Sequence, residues 1–93
     1  MSGLEESAER EVERMKRVIE SVKLENNEDD NAVELLNLAR AYQSDSEHFF
    51  DAGKMVEAFE AAVIAWAYID AGLHLGAFRL ADADLERELF TTE

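Results

Sequence analysis

Asp70 and His74 are the pair best suited to chemistry in this 93-residue chain. At i and i+4 they fall on one side of a helix, where a carboxylate can orient an imidazole for proton transfer. General acid–base work would also need a pocket and a third group to orient the histidine, and the sequence identifies no such group. The simpler reading is structural. Asp70, a carboxylate inside an apolar helix, is expected to be buried and paired with His74, a tyrosine hydroxyl such as that of Tyr42 or Tyr68, or Arg79, because buried polar groups normally find partners. His48 has Asp45 and Asp51 at i−3 and i+3, which brings two carboxylates to one imidazole. A ferritin-like metal site takes paired Glu-x-x-His motifs plus two further glutamates from four helices. A lone Asp-x-x-His does not meet that requirement, so His48 reads as a surface histidine and no metal or other cofactor is expected. The chain has no cysteine, which removes disulfides, thiolate ligands and thiol nucleophiles together. It also lacks a Gly-rich phosphate loop and a nucleophile elbow. The residues therefore predict no enzyme.

The segment that must position Asp70 and His74 runs from Ala58 to Phe78, and Asp70 is its only full charge between Glu60 and Arg79. A charged residue at the centre of a membrane span costs about 2.5–3.5 kcal/mol, and Gly72 and Gly76 weaken the helix further. The spacing thus predicts a soluble helix buried on most sides, with no membrane association. Trp66 and Tyr68 read as core or interface residues rather than a ligand cage. Gly72 and Gly76 form a small-xxx-small surface that would let another helix come close, with Gly76 also ending the helix. Trp66, Tyr68, Gly72 and Gly76 are accordingly the interface candidates.

Around this segment the pattern predicts an all-α fold: a three-helix antiparallel up-and-down bundle forming one domain over 1–93. Its helices lie at about 3–25, 31–52 and 55–76, and a short C-terminal tail at 77–93 packs back loosely. Proline is absent, and apolar residues make up 47% of the chain, so helix formers dominate. Ser2 and Glu5 have capping-box spacing, and Leu4, Ala8, Val12, Met15, Ile19 and Val22 make a narrow seam behind them. The polar run from Asn26 to Asn31 suits a loop and the next N-cap. Leu35, Ala39, Tyr42, Ser46 and Phe49 stripe the second helix, and Gly53 caps it. Met55, Phe59, Ala62, Trp66, Ile69 and Leu73 stripe the third, with Val56, Val63 and Ile64 broadening its apolar arc into the core.

Acidic residues outnumber basic ones by 22 to 9, for a net charge of −13, and such a surface repels nucleic acid. Only Lys16, Lys23 and Lys54 are lysines. Acidic excess, scarce lysine and plentiful alanine resemble proteins from salt-loaded cytoplasms. The N-terminal residues lack the apolar core of a signal peptide, so a cytoplasmic location is expected.

The second and third helices also carry a resemblance. Ala39, Tyr42, Asp45, Phe49 and Gly53, followed by Ala58, Phe59, Glu60 and Ala65 and then by Asp70, Ala71, Gly72, Leu75 and Gly76, resemble the archaeal domain-of-unknown-function family 357. The likeness covers roughly residues 35–78, with Lys54 where the family usually has an acidic residue and Ile64 where it has an aromatic. It implies a three-helix up-and-down bundle and no established activity. Because the third helix is apolar on more than one face, the sequence predicts a non-enzymatic protein–protein interaction or scaffold module, able to self-associate, with its protein partner unspecified. The competing expectation is a small-molecule binder or minor hydrolytic enzyme centred on Asp70 and His74.

Overall fold

The computed structural model describes residues 3–90, leaving aside the side chains of Glu86, Leu89 and Phe90. Three long helices, α1 (Gly3–Ser21), α2 (Asp30–Asp51) and α3 (Met55–His74), make an all-α bundle. Two short strands, β1 (Val22–Leu24) and β2 (Phe78–Leu80), and a final helix, α4 (Ala83–Phe90), complete it. Ser2, one half of the expected capping box, lies outside the described residues.

Local signals set the helix ends. The Asp29 carboxylate caps α2, accepting hydrogen bonds from the backbone N–H groups of Asn31 (3.1 Å) and Ala32 (3.2 Å). At the other end Gly53 takes φ +80°; its N–H donates to the Phe50 carbonyl, and that of Lys54 to the Phe49 carbonyl. The same double closure ends α3, where Gly76 takes φ +74°, its N–H donates to the Leu73 carbonyl, and that of Ala77 donates to the Gly72 carbonyl. Both are Schellman motifs, in which the left-handed residue favours glycine. Lys54, the N-cap of α3, offers no side-chain hydrogen bond to the helix start.

The core differs from the predicted stripes in a consistent way. On α3 the buried residues are Ala58, Ala61, Ala62, Ala65, Ile69 and Gly72, while Val56, Val63 and Ile64 face outward. Small side chains let α3 lie close to both other helices, so the bulky residues at its sides are half-buried (Phe59, Trp66, Leu73) or turned away. On α2 the row is Ala32, Leu36, Ala39, Gln43 and Ser46, and on α1 it is Ala8, Val12, Met15 and Val18. Leu4, placed in the α1 seam by its spacing, is 50% exposed. The buried Gln43 side chain donates from Nε2 to the Val12 carbonyl of α1 (3.1 Å) and to Glu47 (2.9 Å). Ser46 Oγ donates to the Gln43 carbonyl at 2.7 Å, so these buried polar groups are matched to one another.

Two expectations are corrected at the chain's ends. The first helix stops at Ser21 rather than reaching 25, and Val22–Leu24 pairs antiparallel with Phe78–Leu80 in the register Val22↔Leu80, Lys23↔Arg79, Leu24↔Phe78. Nor is the segment after Ala77 a loose tail: Phe78, Leu80 and Leu85 are buried in the core. The Asp82 carboxylate caps α4 by accepting from the N–H groups of Asp84 (3.0 Å) and Leu85 (3.1 Å). Arg17 on α1 reaches Glu88 on α4 at 3.1 Å. Among the described residues no helix is long and apolar enough to cross a membrane.

Candidate functional site

The polar residues singled out for chemistry do not converge. Asp70 Oδ1 and His74 Nδ1 are 3.4 Å apart, and the same nitrogen lies 3.1 Å from the Asp70 carbonyl oxygen. The pair is real but not buried: the Asp70 side chain is 40% exposed and that of His74 74%. Both belong to the outer half of α3, because the inner half is filled by alanine, Ile69 and Gly72. Tyr42 goes elsewhere, stacking on Tyr68 between α2 and α3 with ring centroids 5.8 Å apart and planes 22° from parallel. Arg79 sits on β2 and pairs with Glu25 at 3.2 Å. That pairing also offsets the like charge of Lys23, its cross-strand neighbour.

Four concavities formed by described residues are lined by other side chains. A 230 Å³ cavity lies where the α1–α2 loop meets the end of α3, between Glu25, Asn26, Asp29, Leu35 and Leu75. Its carboxylates already have work: Asp29 caps α2 and Glu25 holds Arg79. Among the described residues there is no group of three His, Cys, Asp or Glu side chains arranged to hold a metal ion.

The interface candidates are also redistributed. The Arg14 guanidinium lies 5.5 Å from the centroid of the Trp66 ring, so the indole is engaged against α1. Tyr68 is held by Tyr42. Gly72 is approached not by a second helix but by Phe78, whose ring occupies the space where a Cβ on residue 72 would stand. Gly76 serves the helix-ending turn.

What the structure leaves open is the outward side of α3. Val56 (51% exposed), Val63 (44%) and Ile64 (39%) lie there, with exposed Ala67 and Ala71 among them, while Leu75 (78%) stands just past the helix end at the edge of the cavity. Phe59, Glu60, Val63 and Ile64 line a shallow, mainly apolar depression on it. Over the roughly 30 Å length of the helix, Glu57 and Glu60 are the only exposed carboxylate residues before Asp70. Sequence patterning assigned Val56, Val63 and Ile64 to the core. The signal that would have found them is the block Ala58, Ala61, Ala62 and Ala65, which supplies a complete inner row by itself.

The sequence model of a family described as "Protein of unknown function (DUF357)" matches residues 6–78. The match takes in α1 as well as the hairpin, and it ends at the first residue of β2. The crystal structure of protein AF1782 from Archaeoglobus fulgidus, assigned to the same family, superposes with a TM-score of 0.64 at 26% sequence identity, covering 83% of this chain and 96% of that one. No curated protein matches the chain.

Proposed function

Because the chain belongs to the DUF357 family, whose function is unknown, we propose its role from its own surface: a non-catalytic helical module that binds another protein through the outward face of α3. The observation that carries this is the exposure of Val56, Val63 and Ile64 on one helix whose opposite side is already packed. Leaving β-branched side chains in water forgoes about 25 cal/mol for every Å² of apolar surface, and a contiguous patch of this kind marks an interaction site. The half-buried residues along its edges, Phe59 on α3 and Tyr42 with its stacked partner Tyr68, give it firm walls.

A small-molecule or hydrolytic site centred on Asp70 and His74 has weaker support. The two side chains stand on open surface, and neither Tyr42 nor Arg79 is placed to orient the imidazole.

The docking role is tested by placing a photo-crosslinking amino acid at position 63 and, as a control, at the exposed Glu13 on α1. Irradiation in living cells is expected to yield a protein adduct from position 63 and none from position 13. No adduct at position 63 would refute the docking role.

A further inference from the structure

We infer that the 230 Å³ cavity between the α1–α2 loop and the end of α3 binds a small organic ammonium ion with an apolar body, of the arylalkylamine kind. The site is separate from the outward face of α3, and its walls are already fixed. The Glu25 N–H donates to the Ala77 carbonyl (2.9 Å) and ties the loop to the end of α3. Asn26 holds the loop's own turn, its side chain accepting from the Glu28 N–H (2.9 Å) and its carbonyl from the Asp29 N–H (3.2 Å). Buried Ala32 and half-buried Leu35 and Ala77 supply an apolar lining. Leu75 stands at the edge and is, among the described residues, the most exposed of the large apolar side chains. The Schellman turn accounts for Gly76 and makes its customary apolar contact through the residue after the glycine, so the helix ending asks nothing of the side chain at 75. At the lip of an apolar cavity that side chain has a use, because it can fold over a bound ring. An enclosed apolar cavity of about 150 Å³ holds benzene, so 230 Å³ open at one side holds a ring with a short chain reaching the rim.

The rim sets the sign of the ligand's charge. A helix N-terminus ordinarily favours an anion, but at α2 the Asp29 carboxylate already fills that place and repels a second negative group. Both capping bonds go to Asp29 Oδ1, which leaves Oδ2 without a hydrogen bond among the described residues. Glu25 gives one oxygen, Oε1, to Arg79 and keeps the other. Two carboxylates with acceptor capacity to spare, beside an apolar lining, match an ammonium group, which donates in three directions and carries the opposite charge. The net charge of −13 draws such a cation in from solution.

Phenethylamine, protonated at neutral pH, is the probe, titrated into the isotopically labelled intact chain in about 0.15 M NaCl and followed by NMR. The backbone amides of Asn31, Ala32, Leu75, Gly76 and Ala77 should shift together and reach half-saturation at about 1 mM, a strength fitting so small a ligand. Phenethyl alcohol keeps the ring and loses the charge, so it should bind about tenfold more weakly, and phenylacetate should leave these amides in place. Asp29→Asn separates the charge from the fold: asparagine caps a helix as well as aspartate does, yet affinity for the amine should fall about tenfold, toward that of the alcohol. Leu75→Ala, a change on open surface, should weaken the amine and the alcohol alike. Thermal melts check that both variants are folded, and if Asp29→Asn is not, Leu75→Ala and the alcohol decide the matter. The inference is overturned if these amides stay in place up to about 20 mM amine, if the alcohol binds as tightly as the amine, or if a folded Asp29→Asn or Leu75→Ala binds the amine unchanged. Shifts of equal size along the exposed carboxylates of α1 would overturn it as well, since they would mark a general attraction of cations to an acidic surface. None of these outcomes bears on the α3 face, which the crosslink at position 63 decides.

Discussion

The inner and outer sides of α3 invert the usual distribution of residue sizes. Inside stand Ala58, Ala61, Ala62, Ala65 and Gly72, with Ile69 the one large side chain; outside stand Val56, Val63 and Ile64. The inversion separates two jobs that hydrophobic residues perform. Alanine buries little area for itself, but it lets neighbouring helices approach and loses no side-chain entropy. The larger residues could supply more burial, and that potential is unspent within the single chain. A helix that were merely the core of a bundle would turn Val63 and Ile64 inward and its alanines out.

The contrast can be broken most severely from the inside. Ile69→Ala removes the largest fully buried side chain of α3 and should cost about 2–5 kcal/mol, a large share of the roughly 5–15 kcal/mol that holds a domain together; a urea melt reads the change. Gly72→Ala comes next. It gains about 1 kcal/mol of helix propensity but drives a methyl group into the Phe78 ring, and overpacking of this kind costs about 1–3 kcal/mol. The expected net result is destabilisation, and pairing it with Phe78→Leu should recover part of the loss. Lys54→Asp should act in the opposite sense. It places an acceptor at an N-cap that now makes no side-chain hydrogen bond and adds a negative charge to that of Glu57 in the first turn, so a rise of about 1 kcal/mol is expected, seen as a higher melting temperature. The outer side should respond least: Val63→Ser and Ile64→Ser should each change monomer stability by no more than about 0.5 kcal/mol. Asp70→Asn belongs with them, because its pairing with His74 is largely in solvent and exposed ion pairs contribute about 0–1 kcal/mol. A large loss from Val63→Ser in dilute solution would mean that the outer face is already packed in the monomer, and the comparison would fail.

Most of the bundle was legible because its signals are local. Gly53 and Gly76 sit where the helices turn left-handed, and Asp29 stands among short polar residues where the next helix needs an N-cap. The β1–β2 pair was not legible for the converse reason. Val22 continues the α1 spacing after Ile19, and nothing near it in sequence announces a partner at Leu80. Three-residue strands carry too little alternation to compete with that helical spacing. The candidate site failed at a different level. Periodicity reports how many apolar residues a helix carries and at what angles, but it cannot say which arc its neighbours will cover when alanine and isoleucine compete for the same side. Asp70 was read as buried because its neighbours in sequence are apolar; it lies at the flank of α3, where apolar neighbours on the outer side do not enclose it. Gln43 is the reverse case, a polar residue taken inward because the Val12 carbonyl and Glu47 satisfy its amide.

The β1–β2 ladder also bears on the order in which the molecule comes together. The α2–α3 hairpin forms across a tight turn at Gly53, so its contacts begin between residues close in the chain. Pairing Val22 with Leu80 instead requires the whole hairpin to be enclosed as a loop, and the entropy of that closure is lost before the strand hydrogen bonds return anything. The hairpin is therefore placed to form early, with the ladder as a late fastening that commits α1 and α4 to it. In the native protein the strand amides are expected to open to exchange with solvent before those of the hairpin, an order that hydrogen exchange reads.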